Sequence, residues 1–253
     1  MTVEKVKVLS LKGNLAVVIH KTENPTEKLA ILCPGYLDSK DYKHLVALAE
    51  VLNKEDYTVV RFDPTGTWES EGNISDYNIT QYLEDIKNVL EYMLSQGNYK
   101  NILLGGHSLG GQLSILYAAR DSRISIVLGI MPSSRPISGE VREGWKKMGI
   151  KVSQRNLPNN ENEKIKFPVP FSYVLDRDKY NAIEDIKKIK SPIILIAGEL
   201  DDIIKPNEVE KLFNNANEPK KFINIPNIGH DYRYNSDEIA LVNEKILEQL
   251  NLV

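Results

Sequence analysis

The chain has 253 residues, 42% hydrophobic and 26% charged, which suits a globular protein with a substantial buried core. Its 32 lysines and arginines nearly balance 35 aspartates and glutamates, so a net charge of −3 offers no broad basic field for nucleic acid or an anionic membrane. One cysteine, Cys33, excludes an intramolecular disulfide framework and suits a reducing compartment. No apolar run approaches the roughly 18 residues of a membrane span, and the charged alternation of residues 1–8 lacks a secretory apolar region. The expectation is a soluble, cytoplasmic protein. The basic pairs Lys187-Lys188 and Lys220-Lys221 read as solvated faces.

Residues 3–10 and 14–20 alternate in polarity around Lys12-Gly13-Asn14, a hairpin signal with Gly13-Asn14 as its turn pair. Residues 29–33 form a continuous apolar run, as expected of a strand buried on both faces. Leu45, Leu48, Ala49 and Leu52 follow at helical spacing, and residues 57–62 read as a strand. Ile79, Leu83, Ile86, Leu90 and Met93 predict a helix capped by Asn78 or Thr80. Strands are predicted at 101–106, 124–130, 192–198 and 221–225, a helix over 109–119, and a final helix capped by Ser236 that carries Ile239, Val242, Ile246 and Leu250.

This alternation implies βαβ units: an α/β fold with a mostly parallel central sheet, helices on both faces and the antiparallel N-terminal hairpin at one edge. Residues 132–180 break the rhythm with five prolines, the polar run 159–163, and a short helical stretch holding Trp145 and Met148. We read them as an excursion over the sheet. One domain, 1–253, then consists of core segments 1–131 and 181–253 with this insertion between them.

Gly106-His107-Ser108-Leu109-Gly110 fits G-x-S-x-G between a predicted strand and helix, the setting a nucleophile elbow requires. A sharp turn there strains the serine backbone and lifts Oγ above the sheet. A serine hydroxyl needs a base, and the base an orienting carboxylate. In the order serine, acid, histidine, His230 is the sole histidine after Ser108, in the loop after the last strand. The loop after the preceding strand offers Glu199, Asp201 and Asp202; Asp201 is the preferred acid and Asp202 the alternative. Backbone amides of Leu109 and Tyr36 are the candidate oxyanion donors. Tyr36, Trp68 and Trp145 are candidate substrate-binding side chains. His107 reads as a packing group, His20 and His44 as structural or solvent-exposed, Cys33 as core, residues 63–67 as a turn, and Asp176, Asp178 and Asp185 as capping or solvated acids.

Pro34-Gly35-Tyr36, Arg61-Phe62-Asp63, Gly66 with Glu69-Ser70-Glu71-Gly72, Gly106-His107-Ser108-Leu109-Gly110-Gly111, Gly198 to Asp202, and Gly229-His230 occur in the order of a known family. Together they resemble the α/β-hydrolase superfamily, in particular its feruloyl/cinnamoyl-esterase-like and serine-aminopeptidase-like branch. The resemblance covers nearly the whole chain. It implies ester hydrolysis through an acyl-enzyme, no metal and no organic cofactor, and a lid inserted between the sixth and seventh strands, where 132–180 lies. It places catalytic roles on Ser108, Asp201 and His230. The chain departs from the family at Cys33-Pro34-Gly35, where relatives usually carry His-Gly, at Thr65, where an arginine is usual, and in an acid loop one residue longer before Pro206. The expected activity is that of a carboxylesterase on a small-molecule ester. A peptidase, amidase or thioesterase with the same triad is the alternative, and a noncatalytic binding module is the reading from a different class.

Overall fold

The computed structural model describes residues 2–251. Met1, Leu252 and Val253, which the single-domain expectation includes, lie outside the described residues.

The middle strands carry almost no exposed side chain, so apolar layers form on both of their faces. These strands are β3 (Lys28–Cys33), β4 (Thr58–Phe62), β5 (Asn101–His107), β6 (Ile126–Ile130) and β9 (Ile193–Gly198). With β1 (Thr2–Ser10), β2 (Gly13–Lys21) and β10 (Lys220–Ile225) they make an eight-stranded sheet in the order β1-β2-β4-β3-β5-β6-β9-β10. The β1–β2 and β2–β4 pairs are antiparallel and the rest parallel. The hairpin turn lies two residues earlier than its sequence suggested. Ser10 pairs with Gly13, Leu11-Lys12 form the loop, and Gly13 opens β2 at φ 131°, a conformation that favours glycine. Asn14 is held in the strand by its amide, which donates to Glu71.

Helices α1 (Lys43–Lys54) and α8 (Ser236–Leu250) cover one face through Leu45, Leu48 and Leu52 against Ile239, Val242 and Ile246. The other face is covered by α2 (Ile79–Gln96), α3 (Leu109–Ala118), α6 (Ala182–Ile186) and α7 (Pro206–Asn215). Every residue of α3 is buried, so the helix behind Ser108 has no polar stripe and is held from all sides. Asn78 caps α2 by accepting from the Gln81 amide. The last helix is capped by Asn235 rather than Ser236; its side-chain oxygen reaches the Asp237 and Glu238 amides, while Ser236 is already helical.

From β3 the chain passes through α1 to β4 on one side, and from β5 through α3 to β6 on the other. The C-terminal ends of β3 and β5, adjacent with Cys33 opposite Gly106, therefore leave the crevice in which such sheets place their sites.

Residues 132–180 contain α4 (Gly139–Met148), an antiparallel pair of β7 (Ile150–Leu157) and β8 (Asn160–Pro170) that forms its own two-stranded sheet, and α5 (Ser172–Arg177). In sequence this hairpin reads as part of an irregular excursion. Most of its positions are exposed or half-exposed; the alternation is confined to Ile165, Phe167 and Val169 at the end of β8, where Pro168 and Pro170 obscure it as a strand signal. Aromatic rings dock this region on the core: Trp145 stacks on Tyr173 (5.8 Å, 13°) and Tyr173 on Tyr77 (5.7 Å, 3°), while Trp68 packs edgewise on Phe167.

Candidate active site

Ser108 sits between β5 and α3 at φ 55°, ψ −115°, a left-handed setting that costs a non-glycine residue about 1–3 kcal/mol. The surroundings hold it there. Its amide donates to the Ile130 carbonyl (2.9 Å), and its own carbonyl accepts from the Gln112 and Ser133 amides (3.1 Å each). Space explains the flanking glycines. A Cβ at Gly110 would lie 2.0 Å from the Cys33 carbonyl oxygen, and one at Gly106 2.3 Å from it, because the end of β3 presses directly on the elbow.

His230 reaches the serine from the loop after β10. Its Nε2 lies 3.1 Å from Ser108 Oγ and its Nδ1 2.7 Å from Asp201 Oδ2. With the ring proton on Nδ1, His230 donates to Asp201 and accepts from the serine hydroxyl. Asp201 is 3% exposed, and its other oxygen accepts from the Ile203 and Ile204 amides (2.9 and 2.7 Å). This loop aims one aspartate inward and fixes it with two backbone donors. Asp202 is exposed, and Glu199 accepts from the Asn227 amide at the surface. Ser108, His230 and Asp201 thus form one continuous relay, in which neither Asp202 nor Glu199 takes part.

Tyr36 lies in the crevice at the end of β3. The Asp38 amide closes a turn onto the Gly35 carbonyl (3.1 Å), and the Leu37 amide donates to the Tyr77 hydroxyl (3.0 Å). Among the described residues, no turn, cap or side chain engages the Tyr36 or Leu109 amide. An arginine that sequence reasoning missed clamps this loop from the insertion: Arg155 donates through Nε and Nη2 to the Tyr36 carbonyl (3.1 and 2.7 Å) and lies 3.3 Å from Asp38. Tyr36 is 119 residues away in sequence, and no local pattern announces the contact.

Behind His230 lies a buried group of rings. His107 approaches it with ring centroids 4.6 Å apart, and His44 and Tyr232 pack on His107. Among the described residues, no ring nitrogen of His44 or His107 has a hydrogen-bond partner of good geometry. Burial pushes the His44 pKa down to about 3 and holds that of His107 well below the usual range, so both are neutral packing groups. His20, buried against Arg61, is lowered to about 4 by desolvation and then by that charge. Asp38, His44 and His107 could supply a metal with donor atoms within 4.8 Å of one another. Asp38, however, is already occupied by Arg233 (2.6 Å) and Arg155, two cations that an incoming metal would have to displace.

A cavity of about 480 Å³ opens between the Tyr36 loop and the insertion; Tyr36, Ser133, Trp145, Tyr173 and Ile204 are in its wall. Tyr36 and Trp145, two of the three candidate substrate-binding side chains, share this wall. Trp68 does not line this cavity. Its indole donates to the Leu37 carbonyl and its ring lies between Tyr42 and Phe167, so it braces the insertion against the core. Residues 63–67 are more than a turn: buried Asp63 accepts from both the backbone and the ammonium of buried Lys40. Asp176 receives the Thr80 amide at the start of α2, Asp178 pairs with Arg142, and Asp185 with Arg120 and Lys188.

The sequence profile of the family described as "Serine aminopeptidase, S33" matches residues 24–182, more than half of the chain. The chain belongs to this family. Rat palmitoyl-protein thioesterase ABHD10, mitochondrial, is 24% identical over 178 residues, covering 69% of this chain and 59% of the relative. The matched part of this S33-family chain thus spans about three-fifths of that relative's length. Among solved structures, DcsB in complex with its substrate analogue superposes with a TM-score of 0.82 at 17% identity, covering 98% of each chain. Est1E from Butyrivibrio proteoclasticus with bound ferulic acid gives 0.75 at 21%, covering 97% of this chain and 99% of the other. ABHD10 from mouse gives 0.75 at 20%, covering 99% of each. The fold of the S33-family chain is the α/β-hydrolase fold, with its mostly parallel eight-stranded sheet and antiparallel N-terminal hairpin. Among the described residues, no helix is long and apolar enough to cross a membrane.

Proposed function

We propose that the chain is a serine-dependent carboxylic ester hydrolase. The observation that carries this reading is the Ser108–His230–Asp201 relay, with Ser108 held at positive φ on the strand–helix turn. Ser108 Oγ attacks the ester carbonyl while His230 Nε2 takes its proton, and Asp201 holds the imidazole and balances the imidazolium. The Tyr36 and Leu109 amides receive the developing oxyanion. His230 then gives its proton to the departing alcohol, and water attacks the acyl-enzyme with His230 again as base, releasing the acid and restoring Ser108. In this reading residues 132–180 are a lid on a single domain, and the setting is cytoplasmic, in keeping with one buried, unpaired cysteine.

A thioester can follow the same acyl-enzyme route, and the name of the rat relative favours that as the second reading. Matched ester, thioester and aminoacyl-amide substrates rank the three by kcat/KM. The reading itself is tested by labelling with a fluorophosphonate and by the burst of p-nitrophenol from short-chain esters. Both are expected in the wild type, and Ser108→Ala should lose the label and at least about 10³-fold in kcat. Unchanged turnover in Ser108→Ala sinks the assignment. A folded wild type that takes no label points to a noncatalytic binding module.

A further inference from the structure

We propose that the cavity walled by Tyr36 and Ser133, the latter bonded to Ser108, is an anion-binding acyl subsite that selects esters whose acyl chain ends in a carboxylate. The proposal rests on the serine-hydrolase reading and adds its substrate class.

The wall includes Arg135, Lys151 and Arg177 and no carboxylate. Arg135 is taken up by Glu208, outside the wall, and by the Ile203 carbonyl. The other two cations have no acidic partner among the described residues. Arg177, on α5, is 7% exposed. Its guanidinium donates to neutral oxygens only: Ser133 Oγ (2.7 Å), the Arg135 carbonyl (3.2 Å) and, weakly, the Tyr173 hydroxyl (3.4 Å). Its Nε is buried with no acceptor. A guanidinium withdrawn from water without a counter-charge is unfavourable, and a carboxylate in the cavity would supply both the charge and the missing acceptor. Lys151, on β7, stands 5.3 Å over the Trp145 ring at the same cavity, where its ammonium is free to turn toward a second oxygen.

Position assigns the subsite to the acyl side. Ser133 joins the two centres: its amide donates to the Ser108 carbonyl and its hydroxyl accepts from Arg177. Tyr36, the candidate oxyanion donor, is in the same wall. Neither Ser108 nor His230 is itself in this wall; Ser133 and Tyr36 are what connect it to the serine, with no such direct link to the His230 loop among the described residues. Because His230 must protonate the leaving alcohol, the alcohol lies on its side, and the cavity away from it receives the acyl chain.

The test compares monoethyl glutarate and monoethyl adipate with ethyl pentanoate and ethyl hexanoate by acid release. The wild type should favour the carboxylate-bearing esters about tenfold or more in kcat/KM. Arg177→Met and, separately, Lys151→Met should lower that preference severalfold, through KM on the anionic esters, and Arg177→Lys should restore part of it. Equal or better use of the neutral esters by the wild type overturns the subsite while leaving the hydrolase reading intact. So does an equal loss on both substrates in Arg177→Met, the mark of a residue that merely props Ser133 and Arg135. If neither kind of ester is turned over, the hydrolase reading is decided by the fluorophosphonate label, and the subsite is judged by calorimetry with adipate. Binding that weakens in Arg177→Met supports it; no binding to the wild type overturns it.

Discussion

The C-terminal edge of the sheet and the insertion over it face the same serine and are built in opposite ways. At the edge, backbone sets the positions: Ser108 is locked by hydrogen bonds to Ile130, Gln112 and Ser133, and Asp201 by two amides of its own loop. The strands and the helix beneath it are buried, leaving little freedom. The insertion is a hairpin and short helices that leave Met148 75% exposed and Val141 56% exposed, and they touch the core through rings and arginines. The contrast separates two tasks. In the proposed reading, chemistry, which needs sub-ångström placement, falls to the edge, and selectivity, which needs a wall of chosen charge, falls to the insertion.

The sharpest way to break this contrast is at the acid. Asp201→Asn should lower kcat by about 10⁴-fold, since the amide cannot hold the catalytic tautomer of His230, while Asp202→Asn should change it by less than about threefold. Comparable losses in the two variants would show that the acid loop is not rigid. Next in size is Gly110→Ala. With Cβ forced to 2.0 Å from the Cys33 carbonyl, either β3 or α3 must shift, at a cost of about 3 kcal/mol or more. The urea midpoint should fall by about 1 M; an unmoved midpoint would mean that the edge yields easily.

The smallest effect concerns the rings behind the site. The pKa values of His20, His44 and His107 are depressed in the folded chain, to about 4, about 3 and well below the usual range. Unfolded histidine binds a proton near pH 6.5 and the folded state resists it. Their contribution is therefore intact above about pH 6.5 and is lost as the pH falls toward 4, on the order of 2 kcal/mol per histidine at pH 5. His44→Leu removes one such group whose ring nitrogens have no partner. It should leave stability at pH 7 within about 1 kcal/mol and shrink the drop between pH 7 and pH 5, read from urea midpoints. An unchanged drop would place the acid sensitivity elsewhere.

The sequence by itself determined the parts governed by short-range rules. Continuous apolar runs at 29–33, 101–106 and 192–198 mark buried strands because nothing on either face meets water, and G-x-S-x-G between such a strand and a helix marks a strained turn. His230 as the candidate base follows from chain order. Tertiary structure decided what depends on direction and distance. Asp201 and Asp202 are chemically alike in sequence, and the loop's two amides are what aim one inward and leave the other in solvent. Trp68 and Trp145 were equal candidates until packing made one a brace and the other a cavity wall. Arg155 and Arg177 left no trace, because an arginine's partner is chosen by the fold and carries no local period. The hairpin of β7 and β8 stayed hidden for a related reason: its alternation is limited to Ile165, Phe167 and Val169, and the prolines beside them argue against a strand until the pairing is seen.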